Sequence, residues 1–156
     1  MTIGLTAANA AKAFLEAQDL DTDLSFYAEI ESAEIEGETT NSHRELPCVI
    51  CYTSAKQEYP PRSGNFNIQL HLRLIASADD LTAEDFDTLQ SAVFSAINTD
   101  TIIADLTSAS VAASNPFHAF GFWEDVQESN QTIEGRNRAV EMILPINCCA
   151  KTIAAS

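Results

Sequence analysis

Four cysteines are the residues of this chain whose type and spacing could most readily do chemistry. Cys48 and Cys51 form a Cys-x-x-Cys motif, and Cys148 and Cys149 are adjacent. A zinc or redox site needs thiols that converge, usually from a turn. Both pairs lie in β-like runs, where residues three apart, and direct neighbours, point to opposite faces. The pattern predicts buried or half-buried free thiols, with metal binding and a redox or disulfide pair as the alternatives.

Three histidines and a group of acids are the next candidates for chemistry. His43 lies in a polar stretch, His71 in an alternating run and His118 before an aromatic run, so none is near another in sequence. A lone His71 could act as a general base, but solvent or an interface is the more usual place for such a residue. Asp79-Asp80 with Glu84-Asp85 does not match a calcium loop, and acids at a helix start explain them.

Motifs that mark common enzymes do not occur in the sequence. It contains no dinucleotide or phosphate-binding glycine loop, no nucleophile elbow and no paired-histidine zinc motif. The sequence therefore predicts a protein that is not an enzyme, with no catalytic residues, no cofactor and no metal. An enzyme that uses His71 or a chance pair of acids is the alternative.

The charge balance is strongly acidic. Eight Lys and Arg residues against 23 Asp and Glu residues give a net charge of −15. Proteins that grip nucleic acid or an anionic membrane surface need clustered cations, so both classes are disfavoured. The acidity favours either plain solubility or a surface past which a polyanion slides without sticking. No apolar run approaches the roughly 20 residues of a membrane helix, and the start of the chain lacks a secretory signal, which predicts a cytoplasmic protein.

Hydropathy patterning predicts an α+β domain. The clearest signal is Phe66–Leu74, where every second residue is apolar, so one face should be buried and the other wet. Thr82 precedes a helix that ends near Asn98, and Phe86, Leu89, Val93, Ala96 and Ile97 recur in it at helical spacing. The other expected elements are a helix over 6–17 capped by Thr6, and strands over 24–35, 46–52, 117–126 and 136–149.

The remaining segments are expected to connect these elements. Residues 34–45, 53–64 and 107–116 should be loops, and 101–106 a short strand or a turn of helix. The 156 residues then form a single domain with a core over about 6–149 and a loose tail at 150–156. Without regular βαβ alternation, the fold should be a small, mostly antiparallel sheet with two main helices packed on it.

Interaction surface is what remains once chemistry has been set aside. The polar side of the alternating strand and the proline-rich 53–64 loop present groups suited to holding a neighbouring subunit. The candidate assembly contacts are Lys56, Tyr59, Arg62, Gln69, His71 and Arg73.

The order of elements resembles the tail-terminator and neck proteins of tailed bacteriophages. The resemblance covers residues 6–149 and is strongest over 46–97, where the strand LPCVICY precedes a long loop, the strand FNIQLHLRLIASADD and the helix LTAEDFDTLQSAVFSAI. It rests on the pattern of elements and on no signature motif. The four cysteines and the acidic 29–45 insertion depart from the pattern.

The resemblance implies a structural role in a virion, assembled in the host cytoplasm. Such proteins form a ring, typically a hexamer, that caps the tail tube, ends its growth and joins it to the connector or collar. DNA passes through the ring without specific binding, and an acidic bore is compatible with that passage. The alternatives are another head-completion or tail component, or a protein-binding domain from outside phages.

Overall fold

A mixed sheet runs through the part of the chain that is described. The computed structural model describes residues 2–20, 23–29 and 45–152. Within these residues the helices are α1 (Ile3–Glu16), α2 (Ala83–Ile97) and α3 (Ile102–Ala112). The strands are β1 (Ser25–Ala28), β2 (Cys48–Glu58), β3 (Asn65–Ser77), β4 (His118–Phe122), β5 (Gln127–Glu128), β6 (Thr132–Glu134) and β7 (Asn137–Cys149).

The long strands β2, β3 and β7 form the centre of the sheet, in the order β1-β2-β3-β7-β4. All pairs are antiparallel except β1 with β2, which is parallel. β4, β5 and β6 pair in turn with successive parts of β7. The backbone N–H groups of Trp123 and Ser129, which lie next to these short strands, also donate hydrogen bonds to β7. The predicted α+β class and the mostly antiparallel sheet are therefore confirmed.

The helices cover one side of the sheet, which is called the helix face here. Alternate residues of β3 on this face are Ile68, Leu70, Leu72, Leu74 and Ala76, and each is at most 1% exposed. They join buried residues of β7 and of all three helices in one apolar cluster. Because hydrophobic burial is the main favourable contribution to folding, this layer holds the helices on the sheet.

The first helix starts earlier than the sequence predicts. Thr2, and not Thr6, is its N-cap, and the Thr2 hydroxyl accepts a hydrogen bond from Leu5 N at 3.3 Å. Thr6 lies inside the helix and is 1% exposed. Ile3 and Gly4 are buried in the first turn, so packing against the sheet extends the helix beyond its polar signal.

The second helix agrees with its prediction. The Thr82 hydroxyl accepts a hydrogen bond from Asp85 N at 3.1 Å, and Asn98 is the C-cap. Phe86, Val93 and Ile97 are fully buried against the sheet.

A third helix lies where a loop was predicted for 107–116. α3 extends to Ala112, and Ile102, Leu106 and Ser110 form its buried side at a spacing of four residues. The Ser110 hydroxyl donates hydrogen bonds to the carbonyl oxygens of Thr107 and Phe117. Small Ser and Ala residues make a weak apolar stripe in the sequence but permit close packing, which is why the helix was missed.

The second strand is longer than predicted and shortens the proline-rich loop. It continues to Glu58, and Gln57 and Glu58 pair with Asn67 and Phe66. A bulge between Ser54 and Gln57 interrupts the pairing, with Ala55 at φ 52°. The backbone of β3 supplies the hydrogen bonds that keep the polar end of β2 in the sheet. The residues of that end do not by themselves indicate a strand.

Several predictions fall partly or wholly outside the described residues. These are the 34–45 loop apart from Glu45, the end of the 24–35 strand, His43, and positions 153–156 of the tail. Within the described residues, no helix is long and apolar enough to cross a membrane.

Candidate functional site

A row of polar side chains crosses the sheet on the side opposite the helix face, called the outer face here. Tyr52 of β2, His71 of β3 and Ile143 of β7 are cross-strand partners, and Ile50, Arg73 and Glu141 form the next rank. Because alternate residues share a face, Ser54, His71 and Glu141 lie on one diagonal across three strands. The polar row is defined as Tyr52, Ser54, Gln69, His71, Arg73 and Glu141.

Hydrogen bonds connect most members of the polar row. Ser54 Oγ lies 2.6 Å from His71 Nε2, and 3.3 Å from Gln69 Oε1. His71 Nδ1 lies 3.4 Å from Glu141 Oε1, and the same carboxylate accepts a hydrogen bond from the Tyr52 hydroxyl. The rings of Tyr52 and His71 stack with centroids 4.5 Å apart. Three strands are thus joined by side chains as well as by backbone.

The carboxylate of Glu141 is the anionic end of this row. Burial alone would raise the pKa of Glu141, but the contact with His71, the hydrogen bond from Tyr52 and the charge of Arg73 outweigh it. The net effect lowers the pKa below the ordinary value of 4.5. Glu141 is therefore held as a carboxylate by partners that favour its charged form.

The prediction of a wet outer face on β3 is wrong at His71, which is only 9% exposed. Gln69 and Arg73 are half-buried, and Arg73 forms an ion pair with Glu134 of β6. Alternation along one strand shows which residues share a face. It does not show what the neighbouring strands place beside them, and here Tyr52 and Glu141 shield the imidazole.

The row contains a Ser–His–Glu sequence of contacts, the order used by serine hydrolases to activate a hydroxyl. In such a site the imidazole takes the serine proton and the carboxylate orients the imidazole. Ser54 and Glu141 carry no sequence signal for this role, since each is an ordinary polar residue of a strand. Only the strand register could have brought them to His71.

A second group of predicted residues meets at the turn between β2 and β3, called the hairpin tip here and defined as residues 59–64. The Glu58 carboxylate accepts hydrogen bonds from Arg62 N and Gly64 N, both at 3.0 Å. The Ser63 hydroxyl donates to Pro60 O and accepts from Asn65 N. These bonds fix the backbone of the tip before any partner arrives.

The side chains of the hairpin tip point outward. Tyr59 is 59% exposed, and Arg62 is exposed at φ 66°. Lys56, just before the tip, is also exposed and lies against the first turn of α1, close to Gly4. Among the described residues, neither Lys56 nor Arg62 takes part in an ion pair. The six predicted contact residues therefore divide into three in the polar row and three at or beside the hairpin tip.

The four cysteine side chains are all buried, and no disulfide joins them. Cys51 and Cys148 pack in the cluster under the helices, whereas Cys48 belongs to a smaller cluster on the outer face. Burial raises the pKa of the Cys148 thiol to about 12 and also raises that of Cys51. The predicted divergence of Cys48 from Cys51 is confirmed, and the raised pKa keeps these thiols protonated and unreactive.

Aromatic residues at the β4 edge have different roles. Trp123 donates its indole N–H to Ile68 O at 2.8 Å, so it stabilises the sheet. Phe120 and Phe122 are 44% and 42% exposed on the edge strand. Thr107 Oγ1 accepts from Ala119 N, which satisfies part of that edge from α3.

We compared the chain with models of known protein families and with curated proteins, and neither comparison finds a match.

Proposed function

We propose that this chain is a structural subunit of a tailed-phage tail-terminator or neck ring, which caps the tail tube and joins it to the head. The observation that carries the proposal is the hairpin tip, a turn with a fixed backbone that presents an exposed tyrosine and an exposed arginine, which forms no ion pair with any residue that the structure describes. The order of elements, which resembles that family, supplies the class of assembly.

A rigid tip suits permanent assembly. Ordering a mobile loop on binding costs free energy, about 0.5–1.5 kcal/mol for each immobilised side chain and more for the backbone. A turn whose backbone is already ordered avoids the backbone part of this cost. Tyr and Arg are also the residue types that most often contribute large binding energies at protein interfaces. These properties support Tyr59 and Arg62 as contact residues of a subunit.

The acidity supports the same role. A net charge of −15 repels phosphate, so DNA could pass a ring of such chains without being retained. The ring would have as partners other copies of itself, a tail-tube protein and a connector or collar protein.

Size-exclusion chromatography with light scattering tests the proposal directly. We expect a closed oligomer, about a hexamer, and negative-stain images of a ring with a central hole. Free tail tubes added to the protein should acquire a cap at one end. A chain that remains monomeric at high concentration and binds no tube would contradict a ring subunit and leave a protein-binding domain as the better explanation.

A second candidate function is ester or amide hydrolysis by the polar row. The 2.6 Å contact between Ser54 Oγ and His71 Nε2 favours it, because this distance permits proton transfer from the hydroxyl. In that reaction Ser54 Oγ attacks the carbonyl carbon, its proton passes to His71 Nε2 and then to the leaving group, and water later releases the acyl group. A fluorophosphonate probe should then label wild type and not Ser54→Ala. Equal absence of label in both proteins would eliminate the hydrolase.

A further inference from the structure

Cations gather at one end of the sheet. Lys56 and Arg62 belong to the β2–β3 hairpin, and Lys151 follows β7 two residues after Cys149, the partner of Asn65 in the register. All three are exposed. Glu58, an acid at this end, has both carboxylate oxygens engaged by backbone N–H groups. Among the residues that the structure describes, this end therefore presents exposed cations in a chain that is strongly negative.

Acids gather where β3 ends. Asp79 and Asp80 lie in the turn after Ser77, and Glu84 and Asp85 in the first turn of α2, all exposed. Two arginines adjoin this turn, since Arg138 Nε donates a hydrogen bond to Leu81 O at 3.1 Å and Ala78 N donates one to Arg136 O. Residues 79–85 are called the acidic turn here.

The two charged ends cannot meet within one molecule. β3 has 13 residues, so at about 3.3 Å per residue it separates the hairpin tip from the acidic turn by about 40 Å. Opposite charges at opposite ends of a rigid body favour head-to-tail contact between copies. Such heterologous contacts form a ring when the rotation closes.

The backbone of Arg62 also adopts a conformation that is unfavourable for a residue other than glycine. At φ 66° glycine is the natural residue, because a side chain at positive φ is strained. The backbone N–H of Arg62 donates a hydrogen bond to Glu58, and a glycine at this position could donate the same bond. The guanidinium group of Arg62 forms no ion pair among the described residues, so the conformation of the tip does not depend on it.

We propose that the hairpin tip of one copy docks on the acidic turn of the next, with Arg62 against the carboxylates and Tyr59 beside it. The inference rests on the proposed ring and names the surfaces that close it. Charge complementarity selects a second copy as the occupant, since every copy carries both surfaces. Because the contact pairs charges near solvent, raising the salt concentration should weaken the ring.

Charge reversal tests the docking. Arg62→Glu and Asp80→Arg should each raise the concentration needed for half-assembly by about tenfold or more, since like charges then face each other. The double variant Arg62→Glu/Asp80→Arg, in which every contact again pairs opposite charges, should restore assembly close to wild type. A ring unaffected by Arg62→Glu, or a double variant as weak as the single ones, would overturn the docking.

A matched pair of glycine variants separates strain from contact. Arg62→Gly and Ala55→Gly both relieve a positive φ, so each should raise the Tm of the dissociated protein by about 2–4 °C. Only Arg62→Gly should weaken assembly, because Ala55 lies at the β2 bulge, outside the tip. Equal assembly by the two variants would contradict a contact through the Arg62 side chain.

The outcomes also distinguish this inference from the function on which it depends. A wild-type protein that forms no oligomer contradicts both. A wild-type ring that tolerates the tip variants contradicts the docking alone and leaves the ring function standing.

Discussion

Leu72 and His71 are neighbours in β3, yet they lie in layers built on different principles. Leu72 is fully buried among apolar side chains of the helix face, where packing is tight but non-directional. His71 is 9% exposed on the outer face, between the Ser54 hydroxyl and the Glu141 carboxylate. Both residues are buried, but only His71 needs particular partners at particular positions.

The difference shows how one sheet can combine stability with specificity of register. A one-residue slip of β3 would put its leucines on the outer face and its polar residues under the helices. The polar row adds a second penalty, because a slip would also part Ser54 and Glu141 from the imidazole. The helix face thus provides most of the stability, and the outer face helps to select one register.

The largest effect should come from the helix face. Leu72→Ala should lower the free energy of unfolding by about 2–5 kcal/mol, because it removes buried methyl groups and leaves a cavity. Urea denaturation measures the change. Ser91→Ala on the exposed side of α2 is the control, and it should change stability by no more than about 0.5 kcal/mol. A small loss at Leu72 would mean that the apolar layer is not the main source of stability.

The next effect should come from the polar row. His71→Phe keeps a ring to stack on Tyr52 but removes both nitrogen atoms, so Ser54 and Glu141 each lose a partner. We expect a loss of about 1–3 kcal/mol. Comparing it with Ser54→Ala and with the double variant gives the coupling between the two residues, expected at about 0.5–1.5 kcal/mol. Additive losses would show that the 2.6 Å contact contributes nothing.

A smaller effect should come from a close approach of α1 to the sheet. A Cβ on Gly4 of α1 would lie 2.4 Å from Thr53 Oγ1 of β2. Gly4→Ala should therefore destabilise the protein by about 1–2 kcal/mol, although alanine is the better helix former by about 1 kcal/mol. Adding Thr53→Ala removes the clashing hydroxyl and should recover most of the loss, as thermal unfolding would show. A stabilised Gly4→Ala would mean that α1 can move off the sheet freely.

The smallest effect concerns acid stability. The pKa of Glu141 is lower in the folded protein than its ordinary value of 4.5, so its stabilising contribution is complete above that pH and is lost as the pH falls through the folded pKa. Glu141→Gln should therefore flatten the fall of Tm as the pH drops below the ordinary value of 4.5. The exposed Asp87→Asn makes the same charge change and should leave the slope nearly as in wild type. Identical slopes for the two variants would contradict the lowered pKa.

The parts that could be predicted from the sequence were those with a strong local signal. Thr82 and the apolar stripe behind it marked α2 because a cap and helical spacing act within a few residues. The alternation in β3 and the divergence of Cys48 from Cys51 follow from the period of a strand. The exposed residues Tyr59 and Arg62 of the hairpin tip could be named, since proline, glycine and charge mark an exposed turn.

What required the tertiary structure was everything that depends on partners distant in the chain. Ser54, His71 and Glu141 meet only through the register of three strands, and the last two are 70 positions apart in the chain. The length of β2, the small-residue helix α3 and the burial of His71 likewise come from packing against neighbours. The exposed cations near one end of β3 and the exposed acids beyond its other end are separated only because the strand runs its full length. Local patterns act over one or two turns of chain, whereas burial and electrostatics depend on distance in space, which the linear order of residues does not contain.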